Sequence, residues 1–580
     1  MSIRIITFGF VLLSAISLSA QTKVDGEVSA QGGVGYANPW ASSTRLNIST
    51  PKLKISPFFG IKGTNNNCSA VDEEAEYIYT GKLPLSTSKD YLYTSKKSTQ
   101  AHGMDMEYGA TFIYLISQVD LLTASIKGDY DHRHLHGLQE EVVYLPLDNP
   151  LSANVSRFPH SVVGSEWNNK SNEQNLDVSA GYTHIFLDMP TWLMGSKLDV
   201  QYNYVRESED IDQMQKILPT YTSYTRADNY HLVADGLTQK HRIQADFQIP
   251  LLFPPVPLNV GAFYENRQIR SNDAQWLATV QVMDDHFKHD YKTIGAYLKG
   301  KVSLGPVNLN AKLEYNYTQI DTLGVQMGKN LHDFVPEFGA SWQMSKGNTL
   351  VFNYTRRIVR PSLTYLNPAE VYGPYTMRYG NPEIVGMHAN SFILKYLLKH
   401  DKIDFTTTFQ HIAANDGFNG IWMERDLMRI YTWGNEGKRR AWSMTPEMVW
   451  RPCKQTSIQT KATIIWDKRE AEAINMAKEH WGITTSARIT QQLPLDIRMQ
   501  IYCDYSEGNT IDLYSHQGRQ LGYGAELQRK LTNNGKLVAA IGYDHKDDPK
   551  VILTQGPYTG SLYEHLQNED SGWLRLTCKF

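Results

Sequence analysis

The chain has 580 residues, 41% of them hydrophobic, with a formal net charge of -3 and a mean hydropathy of -0.42. That length allows several ordinary domains or one very large one. The charge is spread along the chain and offers no basic face to nucleic acid, and four scattered cysteines (Cys68, Cys453, Cys503, Cys578) without a CxxC spacing exclude a disulfide scaffold or a cysteine zinc site.

The first stretch, "MSIRIITFGFVLLSAISLSAQ", places Arg4 before an apolar run from Ile5 to Leu18 and a small residue, Ala20, before Gln21. This is the layout of a secretory signal peptide cleaved after Ala20. The apolar run, about 14 residues, is short of the ~20 that a helix needs to span a bilayer. No later stretch reaches the ≥ 18 apolar residues of a membrane helix. The expected organisation is therefore residues 1–20 as signal and 21–580 as one domain.

The dominant pattern after the signal is alternation with period two, which marks strands with two unlike faces. In "KLDVQYNY", Leu198, Val200, Tyr202 and Tyr204 oppose Lys197, Asp199, Gln201 and Asn203. In "VNLNAKLEYNYT", Val307, Leu309, Ala311, Leu313, Tyr315 and Tyr317 oppose Asn308, Asn310, Lys312, Glu314, Asn316 and Thr318. "DIRMQIYCDY" and the terminal "GWLRLTCKF" repeat the pattern, the latter ending on the aromatic Phe580. A soluble sandwich alternates too. Segment lengths near the 9–11 residues of a tilted membrane strand favour a barrel. Connections alternate between tight turns ("STPK", "SLGP", "MSKGN", "KHDK", "PCKQ", "LPLD", "TNNG") and long links (Thr64–Gly103, His132–Glu173, Ser208–Leu237, Val359–His388). That asymmetry is what outer-membrane barrels show. The fold class expected is all-β, a transmembrane antiparallel barrel of about 22 strands with short periplasmic turns and long extracellular loops. In that arrangement Cys503 and Cys578 face lipid, Cys453 lies in a periplasmic turn and Cys68 in an outer loop, all as free thiols.

Several constellations carry no assigned chemistry. His132, His134 and His136 share a face in "DHRHLHG", but spacing fixes no carboxylate or cysteine partner, so no metal site is assigned. "MDDHFKHD" (Met283–Asp290) is read the same way, on another loop. Arg356, Arg357 and Arg360 could grip an anion, though membership of an aromatic-rich loop is explanation enough. No nucleophile with a base and an orienting group emerges from spacing, so no catalytic residue and no cofactor is expected.

The most irregular segment, "RRIVRPSLTYLNPAEVYGPYTMRYGNPEI", runs from Arg356 to Ile384. Its prolines fix φ and bias their predecessors to extended geometry, which predicts a stiff, surface-facing loop. Tyr354, Arg356 and Arg357, then Arg360-Pro361-Ser362, Leu366-Asn367-Pro368 and Tyr379-Gly380-Asn381-Pro382 resemble the barrel domain of Bacteroidetes TonB-dependent receptors. "WGNEGKRRAWSMTPEMVWRP" resembles a later strand of that family; Asn435 and Gly437 are kept, a second glycine is missing and Glu447 falls late. The resemblance implies a structural role for Arg360, Pro361, Ser362, Asn367, Pro368, Gly380, Asn381 and Pro382, and a closing-strand role for Phe580. It covers only the barrel, because the family's plug domain has no counterpart between Gln21 and the first strand. It implies nutrient uptake or passage across the outer membrane; the alternative is a non-transporting binding or assembly barrel engaging a surface partner. The expected partners are outer-membrane lipid and the barrel insertion machinery. A separate plug or surface lipoprotein is a candidate to occlude the lumen.

Overall fold

The computed structural model describes residues 22–35, 40–64, 70–79, 91–144, 161–188, 190, 193–218, 229–250, 256–323, 328–373, 376–425, 428–547, 550–553, 558–566 and 570–580. The expected signal peptide and Cys68 lie outside the described residues. Among the described residues strands dominate: 28 join one sheet, and 22 of them form a closed antiparallel ring. The ring closes where Lys23–Gly35 pairs with Asp570–Lys579, from Glu27↔Lys579 to Gly35↔Ser571. Closure is a requirement in hydrocarbon, where an open edge would leave backbone groups unpaired. Phe580 completes the seam by exchanging two backbone hydrogen bonds with Gly26, each 3.0 Å.

One end of the ring carries Lys23, Phe580 and tight turns such as 305–306, 346–347, 401–402 and 454–455. At Gly347 the backbone is left-handed (φ 92°), and a Cβ there would lie 2.3 Å from the Lys399 carbonyl oxygen, so the turn requires glycine.

Alternation sorts the two faces. Leu313 and Tyr315 point outward, 51% and 48% exposed. Alternating with them, the inner face carries Lys312 and Glu314, paired at 2.6 Å. Lys197 with Asp199 (2.7 Å), Arg242 with Glu265 (3.3 Å) and Arg575 with Glu526 (3.2 Å) continue the charged inner lining. Ile294, Leu298, Trp442, Trp481, Ile541 and Leu574 belong to the apolar outer belt. Cys503 and Cys578 are exposed in register with that belt, Cys453 is exposed beside a tight turn, and all three are free thiols.

The strands are much longer than the alternation suggested. Tyr91–Leu115, Asp120–Tyr144, Ser161–Ile185 and Val280–Leu304 each run 25 residues. Most of the residues read as the long links Thr64–Gly103, His132–Glu173 and Ser208–Leu237 are therefore paired strand. His132, His134 and His136 sit within Asp120–Tyr144, and Met283–Asp290 within Val280–Leu304, not on loops. Beyond the bilayer no lipid contacts the outer face, so nothing demands apolar residues at every second position and the periodic signal fades.

Above the seam the ring strands are short, and a second tier of sheet takes over. Ala70–Tyr79 pairs with Tyr91–Leu115 on one side and with Tyr558–Leu566 on the other. Tyr558–Leu566 pairs in turn with Lys550–Leu553, and that strand with Ser515–Gln517. This second tier continues the wall above the seam.

Candidate functional site: a strap across the lumen

The segment expected to face the surface instead folds into the lumen. After the strand Asn348–Val359 the chain makes a helical turn, Leu363–Leu366, then a small hairpin of Val371–Tyr372 with Thr376–Arg378. It rejoins the ring at Met387–His400, the direct antiparallel neighbour of Asn348–Val359. Leu366 and Ile384 are 0% and 1% exposed and pack with Ile269, Phe287, Tyr291 and Ile320 on the inner face of three successive strands. The inner wall is apolar here rather than polar, and burying the strap's own apolar residues against it outweighs leaving them on the surface.

Both ends of this strap are held by one carboxylate. Asp333, 4% exposed, accepts from Arg360 Nη2 at 2.8 Å on one oxygen and from His388 Nε2 at 2.7 Å on the other. Arg360 also donates to Thr318 Oγ1 at 3.1 Å. The middle is fixed to the wall on either side. On Pro257–Leu277, Gln275 donates to the Tyr372 carbonyl (2.8 Å) and accepts from its amide (3.1 Å), replacing a ladder pair. Asp273 accepts from Asn367 Nδ2 at 2.6 Å and Ser271 Oγ at 2.5 Å. Burial holds the Asp273 carboxyl above its usual range despite those two donors. On Met428–Cys453, Thr376–Arg378 adds as a parallel strand (Thr376↔Arg429 to Arg378↔Tyr431). Asn381 Nδ2 donates to the Trp433 carbonyl at 3.1 Å, and Asn435 Oδ1 accepts from Val385 at 3.1 Å. The strap is therefore a chord, tied at both sides, with an apolar filling behind it.

The irregular sequence supplies its internal bracing. Gly380 N donates to the Asn367 carbonyl and Asn381 N to the Tyr365 carbonyl, both at 2.6 Å. A Cβ on Gly380 would meet Asn367 O at 2.5 Å, so the two proline motifs can touch only through glycine. Tyr365 packs edge-on to Trp433, ring centres 4.4 Å apart. Pro361 is buried, Pro368 and Pro382 are half-buried, and Ser362 precedes the helical turn without a side-chain cap. Asn367, Gly380 and Asn381 thus come together in one brace, Arg360 ties instead to Asp333 and Thr318 on the wall, and Phe580 belongs to the seam at the other end. Arg356 and Arg357 remain in the strand.

In front of the strap lies a cavity of about 450 Å³, lined among others by Tyr93, Glu141, Gln213, Trp422, Arg429 and Tyr431. A smaller one of about 180 Å³ adjoins it, and Arg378 borders both. Glu141 is 4% exposed and accepts from the Tyr93 hydroxyl at 2.5 Å. Burial pushes its carboxyl up, opposed by that hydrogen bond and by Arg429 and Lys97. Burial likewise raises the Tyr431 phenol, which remains a donor at any working pH. Asp333, Asp273, Gln275, Glu141 and Gln213 were not singled out from the sequence. They lie on strands far apart in the chain, and the only signal they give is a polar residue on an inward-facing position.

The three histidines of Asp120–Tyr144 are occupied across the ladder. His132 bonds Asn172 (2.7 Å), His134 bonds Asn168 (3.0 Å) and His136 bonds the Trp167 carbonyl (3.2 Å).

Solved structures share this architecture. The siderophore receptor PirA from Pseudomonas aeruginosa superposes with a TM-score of 0.57 at 9% identity, over 96% of this chain and 80% of that one. The ferric yersiniabactin uptake receptor FyuA from Yersinia pestis gives 0.57 at 10% identity, over 97% and 81%. The ferripyoverdine receptor of Pseudomonas aeruginosa gives 0.58 at 11%, over 96% and 72%. At these identities the likeness is one of fold. A search of curated proteins finds no match. The family model described as "Outer membrane protein beta-barrel family" matches residues 194–544, more than half the chain. With the closed ring and the apolar belt, this places the protein in the outer membrane, its strap on the extracellular side. The chain belongs to the outer membrane protein beta-barrel family.

Proposed function

We propose that this barrel takes part in the uptake or passage of a nutrient across the outer membrane, along the part of the lumen in front of the strap. The observation that carries the reading is the strap itself. It fills one arc of the lumen with apolar side chains and leaves cavities bordered by polar groups in front. A wall lined with ion pairs at bilayer depth implies a wet interior, which a purely structural barrel has no need to keep. The likeness in fold to siderophore and ferric yersiniabactin receptors supports the same reading. A separate plug or surface lipoprotein is the partner proposed to complete closure, and no catalytic step is assigned.

Conductance in planar bilayers tests it. Val359 and Met387 are paired neighbours, so replacing 361–385 with a short turn leaves an ordinary hairpin. The intact protein should conduct weakly and the strapless one several-fold more. If neither conducts, the barrel is a non-transporting one that engages a surface partner.

A further inference from the structure

The cavity in front of the strap contains hydrogen-bonding groups that the fold does not use. The side chains of Arg378, Gln213 and Tyr431 line it, and none makes a hydrogen bond or ion pair with the described residues. One carboxylate oxygen of Glu141 is buried there without a partner. Other polar groups in the lining are spoken for: Gln275 holds the strap, and Gln215 donates to Ser165 at 2.8 Å. Arg378 is exposed and Gln213 and Tyr431 are half-buried, so their unused donors are open to a ligand, and the unpartnered buried oxygen of Glu141 is costly unless a ligand completes it.

The charge balance gives the ligand its sign. Arg429 lies over the Tyr93 ring at 4.3 Å while Tyr93 donates to Glu141, so that side of the cavity is internally compensated. Arg378 stands on the strap at the boundary with the smaller cavity. Glu209 lines that cavity too and lies within electrostatic reach of Arg378, but the two form no ion pair. Arg378 is thus the cation left without a direct carboxylate partner, and its planar fork matches one. A volume of about 450 Å³ is that of a small-molecule site.

We propose that this cavity binds a small anionic organic solute: Arg378 takes its carboxylate, and Gln213, Tyr431 and the free oxygen of Glu141 take hydroxyl or amide groups on its body. Because Arg378 is paired through its backbone to the wall strand at Tyr431, a bound solute would touch strap and wall together. The proposal deepens the passage reading by naming its solute class, but its test is independent of conductance.

The probes are three matched polyols, gluconate, glucitol and glucamine, titrated against the full-length barrel in detergent by calorimetry and by tryptophan fluorescence, since Trp422 lines the cavity. Gluconate should bind at least about tenfold tighter than the neutral and cationic analogues, the worth of one charge-assisted contact. Arg378→Gln should abolish that preference, and Tyr431→Phe, which keeps the ring, should weaken gluconate several-fold. Equal binding of the three polyols, or a preference that survives Arg378→Gln, overturns the site. Arg378→Gln removes no side-chain hydrogen bond or ion pair among the described residues, and heat-modifiable migration on gels checks that it assembles. If that variant fails to assemble, Tyr431→Phe decides: undiminished gluconate affinity overturns the proposal. Gluconate binding in a barrel that never conducts would refute passage and keep the site. Conductance without gluconate selectivity would refute the site and keep passage.

Discussion

Asp333 fixes both ends of the strap at once, because one nearly buried carboxylate receives both Arg360 and His388. Removing one partner of a buried pair typically costs on the order of 3 kcal/mol, since the remaining charge stays desolvated. Asp333→Asn should therefore loosen the strap: limited proteolysis should cut between 360 and 386 in the variant and spare the wild type, while the barrel still migrates as folded. His289 supplies a pH test on the same wall. It is 1% exposed, and burial first, then Arg267, hold its pKa down to about 4 from an ordinary 6.5. The folded state binds fewer protons than the unfolded one across that window, so this contribution is complete above pH 6.5 and is lost as pH falls towards 4. Protease sensitivity of the strap should rise over that range, and His289→Gln should flatten the rise. On the outer face, Leu313 sits about 15 Å up its tilted strand from the turn, near mid-bilayer. Leu313→Arg should cost ~2–4 kcal/mol in a lipid refolding titration, and Asn310→Arg on the inner face much less. Leu309, beside the turn, should lie between them; equal costs at Leu313 and Asn310 would mean that the faces are exchanged.

At the scale of elements, the strap is a partition rather than a swinging lid. It is tied to Pro257–Leu277 through Ser271, Asp273 and Gln275, and to Met428–Cys453 through a parallel strand pairing. Insertion tags can separate this from a surface loop. A tag between Ala278 and Thr279, at an exposed hairpin tip on the far rim, should be reached by antibody on intact cells. A tag at Gly373, inside the vestibule, should not be reached, and one at Asp401 should be reached only after the outer membrane is permeabilised. Antibody labelling at Gly373 on intact cells would return the strap to the surface.

At the scale of the whole molecule, what holds the ring shut is a hydrogen-bonded seam and not a covalent link. Lys23–Gly35 and Asp570–Lys579 are paired over nine positions from Glu27 to Gly35, and Cys453, Cys503 and Cys578 are free. Migration on gels should therefore shift on boiling to the same extent with and without reductant. Deleting Phe580 removes two of the seam's backbone bonds and should slow assembly. The mature protein should begin at Gln21, which N-terminal sequencing of outer-membrane material decides.

The sequence by itself determined the class of the molecule: a barrel of about 22 strands, which face of "VNLNAKLEYNYT" meets lipid, and where the tight turns fall. These are local consequences of a bilayer, which demands an apolar residue at every second position and a turn every membrane thickness. It also marked Arg360, Asn367, Gly380 and Asn381 as a stiff unit, because proline and glycine restrict the backbone wherever they stand. Only the tertiary structure decided where that unit goes. The direction of the strap depends on Ile269, Phe287, Tyr291 and Ile320 facing inward from strands far away in the chain, and on Asp333 lying within reach of both its ends. Strand length beyond the membrane was likewise invisible, since with water on the outer face no period is enforced there. The cavity and its unused donors follow from the closure of the ring, which brings Gln213, Arg378 and Tyr431 together although nothing in their spacing connects them.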